Sequence, residues 1–222
     1  MSGIWDMNAW SLIKAGGPLM APILICSVFA LSIFIEKMFY FVSIKADVPQ
    51  LKRQVFDSIR ENKIKEALHL SNANLSPIAK ILKAGIIKIG YSREEIKESI
   101  EEVSLFEIPR LESKLNALAT IAHISPLLGL LGTVTGMTAC FHTIQVRTAS
   151  LNPVTPGDLA GGIGEALLTT VAGLMVAIPT YVAYNYLVSR INNVVLEMER
   201  AATELINLIL HIHEINTLKM NS

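Results

Sequence analysis

Glu165 stands at the mouth of a stretch in which no other residue carries charge: Ala166 to Ser189 contains no Asp, Glu, Lys or Arg. At about 1.5 Å per helical residue such a run is long enough to cross a bilayer. A carboxylate at the entrance of a membrane helix is costly in lipid, so it must face a protein interior or a water-filled path. Thr169 and Thr170 follow closely and also need partners away from lipid. The chemistry this spacing offers is relay of a proton or organisation of water and a small ion. No basic residue accompanies Glu165 in the third apolar run and no Asp lies in any of the three.

The elements that must hold these groups are glycine-rich. Ser125 to Met137 reads Ser-Pro-Leu-Leu-Gly-Leu-Leu-Gly-Thr-Val-Thr-Gly-Met, in which Gly132 and Gly136 are spaced for close helix approach in lipid. Gly129, Thr133, Gly136, Cys140 and Thr143 recur at three- or four-residue steps, which makes one helix face small and partly polar. That face is either a packing seam, with threonine hydroxyls bonded to the preceding turn, or a pore lining. In the third run Glu165, Thr169, Gly173 and Ala177 share a face, whereas Thr170 lies about 140° from Glu165 at 3.6 residues per turn. The two threonines therefore serve different interfaces. Gly129, Gly132, Gly136 and Gly173 are the expected helix-packing positions, and oligomerisation through their faces is the expectation. Pro179 frees a backbone carbonyl near Met175.

Composition supports a membrane setting. The 222 residues are 51% hydrophobic and 17% charged with zero net charge, too apolar for an ordinary soluble domain and without the basic excess of a nucleic-acid binder. Three runs escape charge, Ala15 to Ile35, Leu115 to Gln145 and Ala166 to Ser189, each of membrane-helix length. The first is not a cleavable signal: its apolar region is too long, and Asp6 and Lys14 precede it instead of a basic cluster. Residues 44–114 hold most of the basic side chains, while 146–158 hold only Arg147 and Arg190 follows the third run. The positive-inside rule then places the N-terminus outside, with the long loop and the tail in the cytoplasm.

The expected organisation is all-α: a polytopic membrane protein with three transmembrane helices, two of them, the second and third, extended into a cytoplasmic helical bundle. An amphipathic lead-in covers 1–14, with Trp5 and Trp10 at the outer interface. Spans cover 15–43, 115–145 and 159–189, separated by a helical loop over 44–114 and a short outer connection over 146–158; a helical tail covers 190–222. Within the loop, apolar spacing predicts helices over 48–62, 64–71 and 76–89, then one capped by Ser92 that runs on into the second span, bent at Pro109. Glu36 reads as a helix-end carboxylate paired with Lys37 of a neighbour, or as part of a functional network, with the first reading favoured. Thr155-Pro156-Gly157-Asp158 suits a helix start, which puts Glu165 about ten residues, roughly 15 Å, along that helix.

Other chemistries lack their residues. His123 and His142 are too far apart to pair on one helix, His211 and His213 point to nearly opposite sides, and His69 stands alone. No HExxH, GxSxG or Walker A sequence is present, so no enzyme, metal site or cofactor is expected. Cys26 and Cys140 have no paired spacing and read as small packing residues. A purely structural bundle is the remaining rival from a different class.

The Ser125–Met137 stretch and the Gly161–Asn185 stretch, with Gly-Glu-Ala-Leu-Leu-Thr-Thr at 164–170 and Ala177-Ile178-Pro179 before Tyr184-Asn185, together resemble the MotA/TolQ/ExbB proton channel family. Three spans with a long inner loop look closer to the ExbB/TolQ branch than to four-span flagellar stators. The resemblance implies a homo-pentamer whose second and third helices surround a pore, set in membrane lipid of the bacterial inner membrane. A dimer of a single-span ExbD/TolR-like partner would sit in that pore, and a TonB-like or Tol-type protein would carry work across the periplasm. The alternatives within this reading are TonB-type transport and Tol-type envelope maintenance. The family's functional positions match Thr133, Glu165 and Thr170. The doubled Thr169-Thr170 departs from the commoner small-residue-then-Thr pattern, so both threonines stay candidates for the pore face.

Overall fold

A computed structural model of the chain describes residues 13, 15–151 and 153–220, without the side chains of 45–47, 158 and 213–220. Trp5, Trp10, Asp6 and Lys14 of the expected lead-in lie outside the described residues, as does the His213 side chain. Six helices follow one another among the described residues, with no strand: α1 Met20–Arg60, α2 Ile64–Ala73, α3 Pro77–Ile87, α4 Arg93–Glu112, α5 Leu115–Ala149 and α6 Pro156–Met220. Three helical stretches are long and apolar enough to cross a membrane: Met20–Arg60, Arg93–Ala149 and Leu159–Ile212. The fold class is therefore all-α with three candidate spans.

Two features differ from the sequence expectation. The helix expected over 48–62 is not a separate element: α1 runs without interruption from Met20 to Arg60, passing Pro49. The helix capped by Ser92 does not continue into the second span. It stops at Glu112, and Lys114 takes a left-handed φ of 68° before α5 begins. Left-handed backbone is rare for a residue with a side chain, so the surroundings must hold it there.

The chain forms two compact units. One contains the described residues of Met1–Glu36 with Lys114–Tyr186; the other contains Lys37–Ser113 and the described residues of Leu187–Ser222. In the first unit Lys114 Nζ donates to both carboxylate oxygens of Glu36 at 2.5 and 2.6 Å, so Glu36 pairs within its own chain rather than with Lys37 of a neighbour. Leu24, Val28, Leu31 and Ile35 of α1 are exposed at three- and four-residue steps, the apolar face a lipid-embedded helix presents.

The second unit is built on large aliphatic side chains. Val55, Ile81, Leu82, Ile86, Ile96, Leu111 and Leu205 are fully or almost fully buried there. Ser92 caps α4 by accepting from Glu95 N–H at 3.3 Å, and Ser76 caps α3 by accepting from Ala79 N–H at 3.2 Å, each satisfying a donor the first helical turn leaves open. Glu107 is buried and accepts from Lys80 Nζ at 2.8 Å through both oxygens. Lys37 is buried too; its Nζ donates to Leu111 O at 2.8 Å and Ser113 Oγ at 3.3 Å, placing a cation on the open carbonyls at the end of α4.

Candidate ion-path site

In the first unit α5 and α6 meet along a seam of small residues from the same chain. Ser125, Gly129, Gly132, Gly136 and Cys140 of α5 are all buried. They face Gly162, Ala166, Thr169, Thr170 and Gly173 of α6 in antiparallel order. A methyl group on Gly136 would lie 2.7 Å from Gly162 O, one on Gly162 2.6 Å from Cys140 Sγ, and one on Gly173 2.6 Å from Ser125 O. The same Gly162 methyl would lie 2.9 Å from Gly136 O, and real Cβ atoms essentially never come so close to backbone, so these positions admit only glycine at this separation. Gly132 is tighter still: its missing Cβ would fall on the Thr169 side chain, against Oγ1 and 2.5 Å from Cβ. The faces expected to serve oligomerisation are thus occupied within one chain.

The four candidate ion-path residues divide between this seam and its surroundings. Thr169 is fully buried against Gly132, and its hydroxyl donates back along α6 to Ala166 O at 2.9 Å and Glu165 O at 3.0 Å. Thr170 reaches across: its Oγ1 bonds Gly129 O at 3.1 Å as well as Ala166 O at 3.2 Å. Thr133, half-exposed, donates to Leu130 O at 2.6 Å on its own helix. Glu165 is half-buried, and its carboxylate lies against Gly17, ahead of α1. Among the described residues no hydrogen bond or ion pair to the Glu165 carboxylate is recorded, and none joins Thr133 to it.

This arrangement has a chemical consequence. The threonine hydroxyls satisfy themselves on backbone carbonyls, as polar groups in lipid must, and so need no partner from outside the chain. Glu165 differs. Among the described residues no cation pairs with it, and a half-buried carboxylate so placed calls for water, a proton or a partner group. α6 begins at Pro156, as the turn residues before it suggested, and so carries Glu165 in its third turn. Sequence reasoning did not reach Gly17, nor the packing of Gly162 against Gly136 and Cys140. The Gly16-Gly17-Pro18 run signals a turn, but nothing local points from it to a carboxylate far along the chain.

No cluster of His, Cys, Asp and Glu among the described residues is arranged to hold a metal ion. Cys140 is buried with its thiol directed to Leu159 O at 3.4 Å, and Cys26 is half-buried.

Comparison with known proteins adds to the geometry. The chain is 30% identical over 190 residues to an ExbB homologue of Methanothermobacter thermautotrophicus described as a biopolymer transport protein, covering 85% of this chain and 66% of that one. It is 33% identical over 174 residues to the biopolymer transport protein ExbB-like 1 of Synechocystis sp., covering 78% of this chain and 68% of the other. The Tol-Pal system protein TolQ of Haemophilus influenzae is 44% identical over a shorter stretch of 87 residues, 39% of this chain and 36% of TolQ. Residues 73–200, which include the α5–α6 seam, Thr133, Glu165 and both threonines, match a family of proton channels rather than of enzymes. This chain belongs to the MotA/TolQ/ExbB proton channel family.

Proposed function

We propose that this chain is an ExbB/TolQ-like subunit of a proton-driven motor in the bacterial inner membrane, converting proton motive force into mechanical work across the periplasm for TonB-type transport. The observation that carries this reading is Glu165, a half-buried carboxylate ahead of a charge-free run, with no recorded ion-pair partner among the described residues. Such a group is expensive to keep unless it handles an ion. Thr133 and one of Thr169 or Thr170 complete the path. The motor is a homo-pentamer around a dimer of a single-span ExbD/TolR-like protein, which contributes its own membrane carboxylate; a TonB-like protein transmits the work. The N-terminus is periplasmic, 44–114 and 190–222 are cytoplasmic, and the spans are 15–43, 115–145 and 159–189. A Tol-type envelope role is the second reading, favoured by the 44% identity to TolQ.

The test is gradient-dependent work by the complex reconstituted with its single-span partner, scored beside assembly. Glu165→Gln keeps the shape and removes the titratable charge, so it should assemble and lose coupling. Wild-type coupling in an assembled Glu165→Gln protein would leave a structural bundle as the better reading. Topology is checked separately. A cysteine in place of Lys63, whose side chain is exposed, should react with membrane-impermeant reagents from the cytoplasmic side only; labelling from outside intact cells overturns the orientation.

A further inference from the structure

Gly17 combines two constraints that occur together nowhere else among the described residues. Its φ is +69°, and its backbone carbonyl accepts from Met20 N–H at 3.2 Å in the turn that leads into α1. A side chain in that conformation is strained whatever surrounds it. Gly17 is also in direct contact with Glu165. A Cβ placed on it would fall on Glu165 Oε1 and lie 2.5 Å from Cδ and 3.2 Å from Cγ. Gly90 makes the contrast: its φ is +95°, yet a Cβ there meets nothing within 4 Å. At Gly90 the turn alone explains the glycine. At Gly17 a carboxylate occupies the space where a side chain would stand.

We propose that Gly17 is a positioning residue for Glu165, its bare Cα forming the wall against which the carboxylate rests and so setting where that group sits in the ion path. The proposal rests on the reading of Glu165 as an ion-path residue. It adds a part of the chain outside the matched family region, which begins at residue 73. The physical argument is one of distance. Ion or proton relay requires donor and acceptor at hydrogen-bond reach, and a displacement of about 1 Å can cost on the order of 100-fold in rate. A methyl group at Gly17 cannot coexist with the carboxylate where it is, so the Glu165 side chain must turn away.

The experiment uses the full chain in lipid vesicles. The infrared bands of the Glu165 carboxyl group, carbonyl or carboxylate stretch, are identified as those that Glu165→Gln removes, and the band so assigned is then compared in Gly17→Ala and Gly90→Ala. Gly17→Ala should shift the band, because the carboxyl changes surroundings; Gly90→Ala, with similar backbone strain and open space, should leave it in place. An unshifted band in Gly17→Ala overturns the proposal. Should Gly17→Ala assemble poorly, the double variant Gly17→Ala/Glu165→Ala decides. Removing every Glu165 atom beyond Cβ vacates the space the new methyl needs and should recover assembly by about tenfold, the coupling expected of residues in contact. No recovery overturns the contact. The two readings fail separately. Wild-type work by Glu165→Gln with a shifted band in Gly17→Ala removes the ion-path role and keeps the placement. Loss of work in Glu165→Gln with an unshifted band in Gly17→Ala does the reverse.

Discussion

The α5–α6 seam and the core of the second unit bring helices together by opposite means. Along the seam the glycines bring backbone against backbone or against small side chains, leaving no room for a methyl group, as at Gly136 against Gly162 O and Gly132 against Thr169. In the second unit most of the large, fully buried side chains are Leu, Ile and Val, and the one buried glycine there, Gly85, faces the Leu205 and Ile100 side chains instead of backbone. On the proposed topology, with the first unit in lipid and the second in water, the difference follows from the solvent. Apolar side chains gain little by leaving lipid for a protein interior, so association there depends on close packing and on hydrogen bonds between helices. In water, burying aliphatic surface is the dominant favourable term. The seam should therefore fail when volume is added, and the second unit when volume is removed.

The largest effect is expected from adding volume to the seam. Gly132→Leu would place its first side-chain atom on the Thr169 side chain, with no open space to rotate into. Overpacking a well-filled core costs about 1–3 kcal/mol when side chains can shift, and at Gly132 the helices themselves must part. The expected outcome is loss of the folded α5–α6 pair, read as loss of native-mass complex in mild detergent. A variant with unchanged mass and thermal stability would show that the two helices do not approach as closely as the glycines allow.

The complementary test removes volume from the second unit. Leu82 is fully buried in α3, and Leu82→Ala should cost roughly 2–5 kcal/mol through lost transfer energy plus the cavity left behind. Pulse proteolysis of the loop at rising temperature reads this directly. If Leu82→Ala left cleavage unchanged, the second unit would owe its stability to something other than its aliphatic core, and the contrast between the two regions would collapse.

These two cases also show what the chain's order of residues could disclose. Helix periodicity marked the loop helices, and glycine spacing marked one face of each later span, because both signals are local and repeat every three or four residues. Pairing is not local. Nothing in the step from Gly129 to Gly136 distinguishes a face that meets another copy from one that meets residues 162–173 of the same chain. Nor could periodicity expose the break at Ser113–Lys114, since an apolar stripe continues across it through Leu111, Leu115 and Leu118. That interruption is written in one left-handed backbone angle, and Lys114 is a residue type that gives no warning of it. Glu36 was equally opaque: its partner is Lys114, distant in sequence on the same chain, not Lys37 of a neighbour.

The smallest expected effect separates the paired threonines. Thr170 Oγ1 bonds Gly129 O on α5, whereas Thr169 Oγ1 bonds only its own helix among the contacts recorded. Thr170→Val should therefore loosen the seam by about 0.6 kcal/mol, the mean for an interhelical side-chain hydrogen bond in a membrane. Thr169→Val keeps its shape against Gly132 and removes bonds that bind no second helix, so its stability should change less. Reversible unfolding in mixed micelles of increasing sodium dodecyl sulfate measures both. Stability and coupling must be scored together, because they can rank the threonines differently. A Thr170→Val protein that loses ion-driven work far beyond the loss in stability would place that hydroxyl on the ion path as well as in the seam. If Thr169→Val is instead the more damaging to stability, burial against Gly132 matters more than the cross-helix bond. The seam would then hold by packing alone, which makes the contrast with the second unit one of residue size only.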